Sequence, residues 1–211
     1  MRWSSLSVLA LAVSAVAVAA DEPAEETPAA PSRPAIGEPA PAFTLPDLDG
    51  EEVSLSDHAG RFVVLEWFNP ECPYVVYANN EGGPLAEWRP EWSEKEVVWI
   101  HINSNVPGTQ GSDPAVNRTE AERWGIETVL LDVDSAVGRT YGARVTPQMY
   151  IIDPEGTLLY DGAVDNAPLG RVAGGGHEPW LADALTAATS GEPVRRARNQ
   201  AYGCTVKYDS P

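Results

Sequence analysis

The sequence predicts an α/β sandwich, in which helices flank a central mixed β-sheet. A continuous apolar run at 62–65 is typical of a strand that is buried on both faces, and the largely apolar segment 96–103 predicts a second buried strand. Helical segments alternate with such strands along the chain. A strand, a Pro-Glu-Gly turn at 154–156, a returning strand and a last helix then follow. This order of elements indicates one mixed sheet with helices on its faces.

The 211 residues divide into four predicted parts. Residues 1–20 carry one charge, a short apolar stretch and small residues at the end, which is the pattern of a secretory signal peptide. Residues 21–35 are rich in Pro, Ala and Glu and are predicted to be a disordered linker. Residues 36–190 form the domain, and 191–211 form a polar C-terminal tail. We therefore expect an exported protein, periplasmic or extracellular, whose mature chain is not inserted in a membrane.

The composition restricts the classes of partner and cofactor. Fourteen basic and 31 acidic residues give a net charge of −17, which repels nucleic acid and anionic membrane surfaces. We expect no nucleic-acid partner. The three histidines, His58, His101 and His177, are scattered along the chain. No Cys/His spacing is typical of a metal site, so the sequence predicts neither a metal nor another cofactor.

The first half of the domain leads to a cysteine. The Asp49-Gly50 pair predicts a hairpin turn between 43–48 and 51–55. The buried strand that begins at Phe62 is broken at 69–71, just before Cys72, and the next residue is a proline, which favours the first turn of a helix. Cys72 is thus predicted at a strand-to-helix junction, where free amides and the helix dipole favour a thiolate.

The second half supplies the remaining elements. The helix after Cys72 should be short, because Gly82, Gly83 and Pro84 interrupt it. A second helical piece at 85–95 contains Pro90, which we expect to kink or break it. The elements predicted after it are a strand at 96–103, a helix at 114–124 capped by Asp113, a strand at 129–133, a helix at 136–141 and a last helix at 178–188.

Four features, in this order, resemble the thioredoxin-like redoxins of the AhpC/TSA and TlpA type. They are the lead-in AFTLPDLDGEEVSLSDHAGRFVVLEWF (42–68), Cys72 at a helix start, the VTP triplet (145–147) before a strand, and IIDPEGTLLYDG (151–162). The resemblance covers about 36–190. It implies that the α/β sandwich is a thioredoxin-like fold.

The resemblance implies roles for particular residues. Cys72 matches the attacking cysteine, and Glu66 matches a buried acid beneath it that moves protons during thiol–disulfide exchange. Thr146 and Pro147 match the cis-proline loop, which faces the cysteine and docks an extended partner segment. Physical reasoning supports Glu66, because burial penalises the charged carboxylate and makes a proton carrier; the alternative is an edge-strand carboxylate facing water. We also assign to substrate binding the flanking residues Trp67, Asn69 and Pro73.

The chain departs from the family pattern at Val75, which stands where a C-x-x-C motif has its second cysteine. A mixed disulfide at Cys72 therefore needs a distant or an external thiol to resolve it, and Cys204 is the intramolecular candidate. Similar exported redoxin-domain proteins pair a C-P-aromatic-V segment with a terminal G-C-[ST]-V/I-K motif. We expect the tail's basic residues to dock it on the acidic body and to lower the Cys204 pKa; they are Arg195, Arg196, Arg198 and Lys207. The alternative is a permanent disulfide staple.

Three classes of function follow. The favoured one is a thiol-dependent oxidoreductase that exchanges disulfides with a partner protein or a small thiol. The second is a thiol peroxidase acting on a peroxide. Peroxiredoxins, however, carry a threonine and a proline where this chain has Asn69 and Leu65, and an arginine where it has Pro147, with Arg144 nearby. The third class is a non-catalytic binding protein with a structural disulfide.

Overall fold

The computed structural model describes residue 1 and residues 33–172 and 174–209. The predicted signal peptide, apart from Met1, and most of the predicted linker therefore lie outside the described residues. The strands are β1 (Thr44–Pro46), β2 (Glu52–Ser54), β3 (Val63–Trp67), β4 (Val98–Asn103), β5 (Val129–Leu131), β6 (Val145–Thr146), β7 (Gln148–Ile152), β8 (Leu158–Gly162) and β9 (Cys204–Thr205). The helices are α1 (Pro73–Asn79), α2 (Pro84–Ser93), α3 (Pro114–Arg123), α4 (Ala136–Tyr141) and α5 (Trp180–Thr189), with short 3₁₀ turns at Leu55–His58 and Pro168–Gly170.

The central sheet has five strands in the order β5-β4-β3-β7-β8. Strands β3, β4 and β5 are parallel to one another, whereas β7 is antiparallel to β3 and β8 is antiparallel to β7. This confirms the predicted mixed sheet, with β3 at its centre. The predicted hairpin around Asp49-Gly50 is also present, as the antiparallel pair β1–β2.

Side chains of β3 alternate between two cores, as the period of a strand requires. Leu65 and Trp67 pack on one face, with Tyr141 and Tyr150. Val64 packs on the opposite face, in a cluster that includes residues of α1, α2 and α5. Glu66 has the same parity as Val64, so its carboxyl lies on the face of β3 that α1, α2 and α5 cover.

Helix α2 differs from the prediction, because it continues through Pro90. Proline removes one backbone donor and crowds the preceding turn, which usually breaks a helix. Here Leu85, Arg89 and Trp92 are buried along one side of α2, and this tertiary packing outweighs the local cost. The tryptophans on α2 pack against the core, Trp92 fully and Trp88 partly.

The C-terminal tail is part of the folded domain. Strand β9 pairs with β6 in antiparallel register, and Val206 is buried in the same core cluster as Leu65. Backbone bonds also join the tail to the body, such as that from the Val106 amide to the Lys207 carbonyl at 2.9 Å. The sequence analysis predicted a polar tail and missed this packing. Isolated apolar residues such as Val206 form no periodic pattern that would predict burial. In the described part of the chain, no helix is both long and apolar enough to cross a membrane.

Candidate active site

Cys72 lies at the carboxyl end of β3 and forms the N-cap of α1. Asn69 builds the turn before it: its side-chain oxygen accepts from the Glu71 amide at 2.9 Å, and its carbonyl accepts from the Cys72 amide at 3.0 Å. Pro73 occupies the first helical turn. The predicted strand-to-helix junction is therefore confirmed.

The Cys72 sulfur is fully buried. Its thiol donates a hydrogen bond of 3.0 Å to the carbonyl of Thr146, the residue that precedes Pro147. The Thr146-Pro147 peptide bond is cis. The structure thus brings Cys72 against the loop that the sequence placed opposite it.

Cys204 also lies beside Thr146. In the β6–β9 pair it is directly opposite Thr146, and it packs against the cluster that contains Cys72. Both cysteines are free thiols, and their side chains lie near each other. Cys204 is half-buried, so of the two thiols it is the one that faces solvent.

The acidity of Cys204 contradicts the sequence prediction. Burial raises its pKa to about 12, and the neighbouring Cys72 side chain acts in the same direction. Lys207 lowers the pKa, as expected, but this effect is smaller. Burial and the second sulfur outweigh the basic tail, so Cys204 is protonated at neutral pH. Arg196 and Arg198 do dock the tail on acids of the body, namely Glu178 and Asp161.

Two residues before Cys204 explain how the tail fits. Gly203 has φ of +149°, and a Cβ at this position would lie 2.0 Å from the Thr146 carbonyl oxygen. Only glycine permits this close approach. Tyr202 donates a hydrogen bond of 2.5 Å to the buried carboxylate of Asp165, which also contacts His177 at 2.9 Å. The tail is thereby anchored just before Cys204.

Glu66 is fully buried, which excludes the alternative of an edge carboxylate facing water. Its Oε1 accepts a long hydrogen bond of 3.4 Å from Asn79, at the end of α1. Its Oε2 lies 3.3 Å from Nε2 of His101, the residue opposite it on β4. Among the described residues, no hydrogen bond joins Glu66 to Cys72. The geometry therefore connects Glu66 to a polar cluster behind α1 rather than directly to the sulfur.

Arg89 completes this polar cluster, and the sequence analysis missed it. It is buried, donates to Asn79 at 2.6 Å and to the Trp124 carbonyl at 2.7 Å, and has a lowered pKa because of burial, which the charge of Glu66 opposes. A signal was present: Arg89 is four residues after Leu85 and three before Trp92, on the apolar face of α2.

The other predicted site residues have different surroundings. Trp67 is fully buried on the opposite face of the sheet and donates to Ser104 at 3.0 Å. Asn69 is buried in the turn described above, whereas Pro73 is exposed beside Cys72. Of these three, Pro73 alone is accessible to a partner in this state. Among the described residues, no group of three His, Cys, Asp or Glu side chains could hold a metal ion.

Comparison with known proteins agrees with this geometry. The model of the AhpC/TSA family matches residues 36–161, which is more than half of the chain. The chain belongs to the AhpC/TSA family.

Two curated relatives of this AhpC/TSA-family protein have different names. The "Thiol-disulfide oxidoreductase ResA" of Geobacillus thermodenitrificans is 26% identical over 126 residues, which are 59% of this chain and 67% of the relative. A Mycobacterium tuberculosis protein named "Putative peroxiredoxin" is 30% identical over 134 residues, which are 61% of this chain and 77% of the relative.

Solved structures share the fold. An uncharacterized conserved protein from Geobacillus kaustophilus has a TM-score of 0.74 and 26% identity, covering 84% of this chain and 94% of its own. A hypothetical protein from Sinorhizobium meliloti has the same TM-score with 24% identity, covering 85% and 98%. The thioredoxin domain of a Bacteroides vulgatus thiol-disulfide oxidoreductase has a TM-score of 0.50 and 21% identity, covering 60% and 87%. The fold is thus thioredoxin-like.

Proposed function

We propose that this protein is a thiol-dependent oxidoreductase that exchanges disulfides through Cys72 and Cys204. The observation that carries the proposal is the convergence of the two thiols on Thr146: Cys72 donates to its carbonyl, and Cys204 is opposite it in the β6–β9 pair, beside the cis Thr146-Pro147 bond. The relatives named ResA support the same chemistry. The partner is a protein or a small molecule that carries a thiol or a disulfide.

The exchange proceeds in two balanced steps. The Cys72 thiolate attacks one sulfur of the partner's disulfide, so that a Cys72–partner bond forms and the partner's second sulfur leaves as a thiolate. Cys204 then attacks the Cys72 sulfur, which releases the first partner sulfur and leaves a Cys72–Cys204 disulfide. Because Cys204 holds its proton tightly, the departing partner thiolate has to take that proton up. An external thiol later reduces the disulfide.

The buried state of Cys72 adds a step to this cycle. A protein disulfide cannot reach a fully buried sulfur, so β9 has to leave β6 before the attack and return to resolve the mixed disulfide. Opening of a short strand costs little compared with global unfolding.

Export directed by residues 1–20 is also part of the proposal, because redox-active cysteine pairs persist in an oxidising compartment. N-terminal sequencing of the mature chain tests whether these residues are removed.

The same burial favours a second candidate function, reduction of hydroperoxides. A small peroxide needs far less opening than a protein does, and the mycobacterial relative is named as a peroxiredoxin. In that reaction the Cys72 thiolate takes one oxygen to become a sulfenic acid and an alcohol leaves. Cys204 then condenses with the sulfenic acid to give the disulfide and water. Asn69 stands in place of the expected threonine, and its amide is bound to Gln110 at 3.3 Å.

Substitution of each cysteine tests the proposal. We expect Cys72→Ser to abolish both insulin-type disulfide reduction and hydroperoxide turnover. Cys204→Ser should accumulate mixed disulfides with a protein substrate, or overoxidised Cys72 with a peroxide, and the mass of the trapped species identifies the function. Wild-type activity in both variants would refute a catalytic role.

A redox titration separates catalysis from a structural staple. We expect the Cys72–Cys204 bond to open in glutathione buffers, as determined by alkylation and mass mapping. A potential below about −300 mV would instead indicate a structural disulfide in a non-catalytic protein.

A further inference from the structure

A basic cavity lies where the body of the domain contacts the C-terminal tail. Its volume is about 470 Å³, within the range of about 300–1,000 Å³ that is typical of small-molecule sites. The body and the tail both contribute polar side chains to its wall, namely Arg33, Arg144, Gln148, Arg198, Asn199 and Gln200. None of the residues assigned to the thiol chemistry lines this cavity.

The charges around the cavity do not cancel. Asp161, fully buried, forms ion pairs with Arg33 and, at 3.4 Å, with Arg198, and it accepts from Gln148 at 2.9 Å. The guanidinium group of Arg144 has no ion pair or hydrogen bond with any residue that the structure describes. Asp161 can balance only part of the positive charge of the three guanidinium groups in the wall of the cavity, those of Arg33, Arg144 and Arg198. A net positive site in a chain of net charge −17 is unusual and indicates a specific requirement for it.

The chemistry of the wall selects the class of ligand. Planar guanidinium forks bind carboxylate or phosphate oxygens through paired hydrogen bonds. The amides of Asn199 and Gln200 add donors and acceptors for hydroxyl groups. The acidic surface of the rest of the chain repels large polyanions, so the ligand has to be small.

The position of the cavity connects it to the tail. Arg144 immediately precedes β6, and its carbonyl accepts from the Val206 amide of the tail at 3.0 Å. Arg198 is also on the tail, but it precedes Cys204 in sequence, whereas Val206 follows it. An anion held between Arg144 and Arg198 would therefore bridge the body and the segment that covers Cys72.

We propose that this cavity binds a small polycarboxylate anion, which fastens the tail over the buried cysteine. The binding part of this inference is independent of the proposed redox function. Any ligand that binds the closed state and not the open one reduces opening by the factor 1 + [L]/Kd.

Calorimetry on the full chain tests the binding, with citrate as the polycarboxylate, inorganic phosphate as the alternative oxyanion and sodium chloride at equal ionic strength as the control. We expect a Kd for citrate below about 1 mM and weaker binding of phosphate. Arg144→Gln should weaken citrate binding by at least about tenfold, whereas Arg195→Gln, a tail arginine outside the cavity, should not change it. Absence of saturable binding, tighter binding of phosphate, or equal effects of the two variants would overturn the proposal.

Alkylation of the native protein tests the fastening. With citrate at ten times its Kd, labelling of Cys72 by iodoacetamide should slow by about tenfold, and in Arg144→Gln the same concentration should have little effect. Binding without slower labelling would refute the fastening. Because this measurement needs no turnover, its outcome is distinct from failure of the oxidoreductase assignment.

Discussion

The two sulfurs of the site are supported in different ways. Cys72 belongs to the body: β3 and α1 position it, and the buried cluster of Glu66, His101 and Arg89 lies behind that helix. Cys204 belongs to the tail and depends on Gly203, Tyr202 and a two-residue strand. The first support is part of the core, whereas the proposed exchange requires the second to open without unfolding of the domain. The difference indicates a fixed sulfur and a movable one.

The largest expected effect is on the body. Arg89→Met removes a buried guanidinium group near Glu66 and leaves its acceptors, Asn79 and the Trp124 carbonyl, without their donor, so we expect a loss of about 3–5 kcal/mol in the free energy of unfolding. Guanidinium chloride denaturation measures this loss. The matched control is Arg123→Met, at an exposed pair with Glu120, which should cost less than about 1 kcal/mol. If the Arg89→Met/Glu66→Gln double variant recovers none of the loss, Glu66 and Arg89 are not coupled.

The next effect is on the tail. In Gly203→Ala the new Cβ meets the Thr146 carbonyl oxygen, and strain at a positive φ alone costs about 1–3 kcal/mol. The tail should therefore detach, and labelling of Cys72 by iodoacetamide should rise at least about tenfold. Gly191→Ala is the control, since Gly191 also has a positive φ but nothing lies within 4 Å of its Cβ position. Equal labelling of the two variants would show that β9 does not shield Cys72.

A smaller effect is expected at the tyrosine anchor of the tail. Tyr202→Phe removes the hydroxyl that donates to buried Asp165, which should weaken docking of the tail by about 1–3 kcal/mol. Faster proteolytic cleavage within residues 196–200 and faster labelling of Cys72 would both report weaker docking of the tail. Tyr77→Phe serves as the control, because in the described part of the chain the Tyr77 hydroxyl makes no hydrogen bond. Unchanged proteolysis would contradict an anchoring role.

The smallest effect is the pH dependence of docking. The folded-state pKa of Cys204, about 12, is above the ordinary value of 9.0. Its contribution to docking is therefore complete below about pH 9 and is lost as the pH rises from there toward 12. We measure the rate at which iodoacetamide labels Cys72 and correct it for the fraction of Cys72 thiolate. Between pH 8 and pH 10 this corrected rate should increase more in the wild type than in Cys204→Ser. A parallel increase in both proteins would assign the change to other groups.

The body could be predicted from the sequence much better than the tail could. Long apolar runs and the proline after Cys72 are strong local signals, and they identified β3, β4 and the start of α1. Continuation of α2 through Pro90 depends on tertiary packing that no local rule contains. The pairing of β9 with β6 joins residues far apart in sequence, and the pKa of Cys204 follows from that contact. For the same reason, the sequence predicted that Glu66 is buried but not that Asn79 and His101 surround it.

The place of the tail in the chain has a consequence for biogenesis. Residues 202–208 follow every other element of the domain, and Val206 packs into the same core as β3 and β7. During synthesis or export, the strands and helices around Cys72 therefore emerge before the segment that covers it. Until that segment arrives, the sulfur is open to oxidants and to other thiols, so the nascent chain is more vulnerable to mispairing than the finished protein.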